Sequence, residues 1–238
     1  MNFVSICSGI EAASCALEPL GFCAFGYAEI DKAASRVLTH HFPSVPNLGD
    51  FTVLDVAAFP SPVDWLIGGT PCQAFSFAGK RLSLADARGN LSLAFVALAH
   101  ELARSYGLRN VLWENVPGVL NTDDNAFGCF LGALVGTGAP IVRPGGGGWP
   151  DVGMVSGPRA RAAWRILDAQ YFGLAQRRER VFLVADFRNG ADPVEVLFER
   201  QGMSGNSPPR REAGKGVAGN AEAGAGIGFG GGQSLRTN

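Results

Sequence analysis

Through residue 187, short apolar runs alternate with stretches whose apolar residues recur at helical spacing. Residues 3–7 read as a buried strand, and a glycine turn leads into a helix over 11–20. Residues 22–28 repeat the strand pattern, followed by a helix over 32–41 that Asp31 is placed to cap. A third strand, over 64–67, ends in Gly68-Gly69-Thr70-Pro71. A long helix over 91–106, a strand over 111–113 and a last strand over 180–187 complete the series. This alternation predicts an α/β fold, a doubly wound, mostly parallel sheet covered on both faces. Residues 136–158, with several prolines and an unbroken glycine run at 145–148, read as a loop insertion in a domain spanning 1–187. The remainder, 188–238, is rich in Gly, Ala, Asn and Ser from residue 202 on and reads as a weakly structured tail.

Nearly half of the residues are apolar, so a substantial core can form, and the net charge of −1 does not by itself indicate a nucleic-acid partner. The distribution says more. Residues 1–70 hold seven acids against Lys32 and Arg36, while residues 143–180 hold seven arginines against three acids. One face for a polar or cationic ligand and another for an anion would produce this split; so would chance. The five cysteines are odd in number and contain no Cys-x-x-Cys, which points to a reducing compartment and away from disulfides or a metal site. The N-terminus lacks signal-peptide features, and no apolar run reaches membrane-spanning length. A soluble, cytoplasmic chain is expected.

Open parallel sheets bind ligands beyond the carboxyl ends of their strands, and here those ends carry reactive groups. Ser5-Ile6-Cys7-Ser8-Gly9-Ile10-Glu11 follows the first strand, with Gly9 free to bring the backbone close to a ligand and Glu11 where a second glycine would be stronger. Alone, this is as easily an ordinary tight turn. Glu29, at the end of the second strand, suits ribose hydroxyls. Asp50 suits an adenine amino group, with Phe51 to pack on the ring. These features do not separate the nucleoside of NAD from that of S-adenosylmethionine. Gly68-Gly69-Thr70-Pro71-Cys72-Gln73-Ala74-Phe75-Ser76 does, because a thiol in a glycine-flanked loop suits reversible conjugate addition. Glu114, in Trp113-Glu114-Asn115-Val116-Pro117, lies beside that loop if its strand adjoins the preceding one, and could supply a proton. Otherwise it is a capping residue. Gln176-Arg177-Arg178-Glu179-Arg180 sets arginine forks before the last strand, suited to carbonyl oxygens or phosphates, or to a solvated basic turn.

In this order the segments resemble the DNA (cytosine-5) methyltransferase family. Residues 3–9 resemble its motif I, Glu29 and Asp50 stand in the places of motifs II and III, Pro71-Cys72-Gln73 matches motif IV, Glu114-Asn115-Val116 motif VI, and residues 176–182 motif VIII. Asp86-Ala87-Arg88-Gly89 fits a further family segment. The resemblance implies a Rossmann-like S-adenosylmethionine-dependent methyltransferase fold acting on double-stranded DNA. It implies Cys72 as nucleophile on ring carbon 6, Glu114 on ring nitrogen 3, Arg180 on the cytosine carbonyl, and Arg178 supporting the site or a phosphate. Ile6, Cys7, Ser8, Gly9, Glu29, Ile30, Asp50, Phe51 and Pro71 would hold the cofactor, and Gln73, Ser76, Asn115 and Val116 the substrate.

The chain departs from the family pattern in two respects. Cys7 stands where the family has an aromatic residue, and no target-recognition domain or motifs IX and X follow motif VIII. The chain therefore reads as truncated and phage- or prophage-like, or as one half of a split enzyme whose second chain supplies target recognition. The alternatives are a degenerate fragment that binds cofactor or DNA without turnover, and a nicotinamide-dependent oxidoreductase. The latter would leave Cys72, Glu114 and Arg180 without a task.

Overall fold

The computed structural model describes residues 1–59, 62–71, 91–187 and 190–198. Its strands are β1 (Asn2–Ile6), β2 (Cys23–Ala28), β3 (Trp65–Gly68), β4 (Asn110–Asn115), β5 (Val152–Ser156), β6 (Arg161–Asp168) and β7 (Glu179–Asp186). Its α-helices are α1 (Ala12–Leu17), α2 (Lys32–His41), α3 (Leu91–Ser105), α4 (Ala126–Val135) and α5 (Pro193–Leu197). The strands form one seven-stranded sheet in the order β2-β1-β3-β4-β7-β6-β5. β1 pairs in parallel with β2 and β3, and β3 in parallel with β4; β7 runs antiparallel to β4 and β5 antiparallel to β6. The doubly wound, mostly parallel sheet expected from the sequence is present.

Trp113 of β4 lies inside the core that α3 and α4 cover, stacked 4.4 Å from Phe130, with Phe95 and Phe127 in the same cluster. Burying side chains of this size contributes roughly 1.5–3 kcal/mol each. The opposite face packs Phe3, Trp65, Ile67 and Val184 under Ala13 and Leu17 of α1 and Leu197 of α5. Burial in α3 extends around most of the helix, as its mixed apolar sequence requires.

One sequence expectation is corrected. Residues 152–156 lie within the expected loop insertion yet form β5, which pairs with β6 from Val152↔Arg165 to Ser156↔Arg161. Of the expected weakly structured tail, 188–238, residues 190–198 are described and hold α5, capped by Asp192 through Val194 N–H, with Arg165 Nη1 donating to the Leu197 carbonyl at 2.9 Å; the Gly-rich remainder lies outside the described residues. By packing, Asp168–Arg178 separates from the rest of the described chain as a unit of its own.

Candidate active site

The turn after β1 is built by an acid in a conformation glycine usually takes. Glu11 has φ 65°, is 1% exposed, and caps α1 by accepting from Ser14 N–H at 2.9 Å. Burial pushes its carboxyl up from the usual range. A left-handed non-glycine residue costs strain, which the bonds from Ser14 N–H and Oγ to Glu11 Oε1 help to offset. Ser14 Oγ continues the network to Tyr27 Oη at 2.8 Å, so the turn is tied to β2.

Glu29 leaves the end of β2, and one carboxylate oxygen accepts from Gly9 N–H at 2.8 Å while the other accepts from Asp31 N–H at 2.7 Å. Asn47, which sequence reasoning missed, holds this residue from outside the strand. Its Oδ1 accepts from Glu29 N–H, and its Nδ2 donates to the Glu29 carbonyl, both at 3.1 Å. The signal was the polar Asn between Pro46 and Leu48, whose backbone groups bond to Tyr27 as an extra strand would. Asp31 caps α2 through Ala33 and Ala34 N–H, as expected. Asp50 caps a 3-10 turn over Phe51–Val53 through Thr52.

Cys7, at φ 49°, sits where these acids meet: its thiol is pushed up to about 11 by burial, then by Glu29, then by Asp50. Phe51 is 7% exposed and packs with the core. The exposed apolar side chains nearby in sequence are Ile30 and Val53, each 74% exposed. Cys7 is expected to alkylate more slowly at about pH 8 than the exposed Cys15 and Cys23, because its thiolate is scarce. Peptide mass mapping after a brief iodoacetamide pulse checks this, and equal labelling of all three would contradict it.

The ends of β3 and β4 adjoin, with Gly68 opposite Trp113. Strand alternation turns Trp113 into the core and Glu114 to the other face. Glu114 Oε1 meets Arg180 Nε at 2.9 Å, across the β4–β7 pairing that sets Glu114 opposite Phe182. Arg180 also donates through Nη1 to the Glu179 carbonyl at 2.7 Å. Gly69 lets the carboxylate sit close: a Cβ there would lie 3.1 Å from Glu114 Oε2. Asn115 is buried and committed internally, with Nδ2 donating to the Thr70 carbonyl and Oδ1 accepting from Val116 N–H. Val116, by contrast, is exposed.

Pro71 is the last described residue before the segment that carries Cys72, Gln73, Ser76 and Asp86-Ala87-Arg88-Gly89, all of which lie outside the described residues. In the separate unit, Asp168 Oδ1 accepts from Arg178 N–H at 2.9 Å, and Ala169 N–H donates to the Arg178 carbonyl. The sequence did not single out Asp168. Among the described residues no group of three His, Cys, Asp or Glu side chains could hold a metal ion, and no helix is long and apolar enough to cross a membrane.

The ends of β1 and β2 present a glycine turn and the acids Glu29 and Asp31, and the end of β4 presents the Glu114–Arg180 pair. Residues 1–140 match the model of the C-5 cytosine-specific DNA methylase family, and the chain belongs to that family. It is 48% identical over 236 residues to a DNA N-6-adenine-methyltransferase of Escherichia phage P1, covering 87% of this chain and 31% of that protein. It is 30% identical over 190 residues to the type II methyltransferase M.Eco47II of Escherichia coli, covering 79% and 40%. The chain therefore spans two fifths or less of the length of these two relatives. The S. pombe Dnmt2 methyltransferase structure shares the fold, with a TM-score of 0.58 at 16% identity over 87% of this chain and 58% of that one. The family's methyl donor is S-adenosylmethionine.

Proposed function

We propose that this chain carries the catalytic part of an enzyme that methylates carbon 5 of cytosine in double-stranded DNA. The observation that carries the reading is the Glu114–Arg180 pair at the end of β4, beside the end of the β3 strand that leads into Pro71-Cys72. Carbon 5 of cytosine is a poor nucleophile until a group adds at carbon 6. The Cys72 thiolate forms a bond to carbon 6, and the ring electrons move toward nitrogen 3. Glu114 supplies or shares a proton at that nitrogen. Arg180, oriented by Glu114 through Nε, offers further N–H donors on its fork to the cytosine carbonyl oxygen. After methylation, a base removes the carbon 5 proton, the carbon–sulfur bond breaks, and Cys72 leaves as thiolate. A base inside a duplex must be extruded to reach such a site, and Arg178 is assigned to the adjoining phosphate or to support of the site.

The residues present suit S-adenosylmethionine. A Cβ on Gly9 would meet nothing within 4 Å, so the turn has open space before it, and Glu29 and Asp50 offer acceptors to ribose hydroxyls and an adenine amino group. Ile6, Cys7, Ser8, Ile30 and Pro71 line the same strand ends, and the bound group supplies an electrophilic methyl on its sulfonium. A second chain, or the further length its relatives possess, is proposed to supply target recognition.

The phage P1 relative is named for adenine N6, and that name supports a second reading. An exocyclic amine attacks a methyl group directly and has no use for a thiol adduct, which leaves Cys72 and the Glu114–Arg180 pair without a task. The match also leaves most of that protein's length for another chemistry. Duplex DNA incubated with the chain and methyl-labelled S-adenosylmethionine, then digested to nucleosides, should yield 5-methylcytosine. Labelled N6-methyladenine would favour the second reading, and absence of product would favour a cofactor- or DNA-binding fragment without turnover.

Gly69→Ala is expected to lower methyl transfer by roughly tenfold or more by displacing the Glu114 carboxylate, with little change in melting temperature. Rate and melting measured together check this, and an unchanged rate would contradict the assigned role of Glu114.

A further inference from the structure

The hydroxyl of Thr70 joins three elements in a buried network. Thr70 is 2% exposed, and its Oγ1 lies 2.8 Å from Ser92 Oγ in the first turn of α3 and accepts from Trp113 Nε1 of β4 at 3.0 Å. Its carbonyl accepts from Asn115 Nδ2 at 2.9 Å. Thr70 and Ser92 stand on either side of the segment that carries Cys72, so their contact ties together the two points at which that segment leaves and rejoins the described fold. The same hydroxyl holds Trp113, the residue before Glu114, whose ring is fixed by stacking on Phe130.

We propose that Thr70 is a positioning residue: its hydroxyl registers the root of the nucleophile's segment against the strand that bears Glu114. This rests on the proposed function for the roles of Cys72 and Glu114, but not for the network itself. The physical argument is one of preorganisation. Cys72 is two residues along the chain from Thr70, so the hydroxyl's partners restrict where the thiol can go. Misplacement of a reacting group by about 1 Å costs on the order of a hundredfold in rate. An apolar residue of the same shape keeps the packing but leaves Trp113 Nε1 and Ser92 Oγ each without this partner in a buried site.

The test compares Thr70→Val with Thr70→Ser. The first readout needs no turnover: the rate of iodoacetamide alkylation of Cys72 against pH, followed by peptide mass mapping, with exposed Cys15 as internal reference. Thr70→Val is expected to change the Cys72 rate by about threefold or more and to leave Cys15 unchanged, while Thr70→Ser matches the parent. The second readout is methyl transfer. In Thr70→Val, kcat should fall by about tenfold while KM for S-adenosylmethionine stays within about twofold, and Thr70→Ser should restore it. An unchanged Cys72 rate in Thr70→Val, or equal impairment of the two variants, overturns the proposal. A parent chain that makes no 5-methylcytosine overturns the functional reading alone, because the alkylation comparison is still decisive for Thr70.

Discussion

In the Cys72→Ala chain, methyl transfer to cytosine is expected to fall by on the order of 10⁴-fold or more, while S-adenosylmethionine still binds. The size of the effect follows from the substrate. Without a bond from sulfur to carbon 6, carbon 5 lacks the electron density to attack a methyl group, and Glu114 and Arg180 have no developing charge to stabilise. The cofactor's proposed contacts, Cys7, Glu29 and Asp50, belong to the ends of β1 and β2 and the turn beyond, so they survive the substitution. Labelled-methyl incorporation and calorimetric titration of the donor, run side by side, measure the two halves. Parent-like incorporation would remove the covalent step from the mechanism, and loss of donor binding would mean that residue 72 serves the cofactor.

The second large effect falls on stability. Gly68 ends β3 directly opposite Ile6 of β1, and a Cβ there would lie 2.7 Å from Ile6 Cγ1, 2.9 Å from the Ile6 carbonyl oxygen and 3.1 Å from Phe95 Cε2. The carbonyl is backbone in a central strand pair and cannot swing aside as a side chain can. Gly68→Ala is therefore expected to destabilise the fold by about 1–3 kcal/mol or more through overpacking. Gly118, where an added Cβ meets nothing within 4 Å, is the control. Denaturant unfolding should show a lower midpoint for Gly68→Ala and little change for Gly118→Ala. Equal midpoints would contradict the close approach of β1 and β3.

The first four strands, α2 and α3 were legible because their apolar patterns are uninterrupted and their ends carry clear stops, such as Asp31 before α2 and the glycine pair after β3. β6 was missed because Arg161 and Arg165 interrupt its apolar residues, although Arg165 reaches the Leu197 carbonyl and Arg161 pairs with Asp186. β5 was hidden by Gly153 and by the glycine run just before it. α4 was missed because Gly128 and Gly132 weaken a helical reading. They are needed there because the backbone carbonyls of Ile141 and Ala139 lie against them.

The groups proposed to carry chemistry could be named from the sequence, since thiols, carboxylates and guanidinium groups are scarce and their order is informative. The residues that hold them could not. Asn47, Thr70, Ser92 and Asp168 are common polar types whose tasks exist only after the chain has folded. The resemblance assigns Asn115 to the substrate; strand alternation sets it on the face opposite Glu114, where it bonds to the Thr70 carbonyl. The pairing of β4 with β7, invisible in the order of the segments, is what brings Arg180 to the Glu114 carboxyl.

The most direct measurement of the central claim is covalent trapping. Duplex DNA carrying 5-fluorocytosine cannot release the carbon 5 substituent as a proton, so a chain that adds and then methylates stays bound. Incubated with the chain and S-adenosylmethionine, such DNA should give a denaturation-resistant adduct that peptide mass mapping places on Cys72. No adduct with the donor bound, or an adduct on any other residue, would contradict the account.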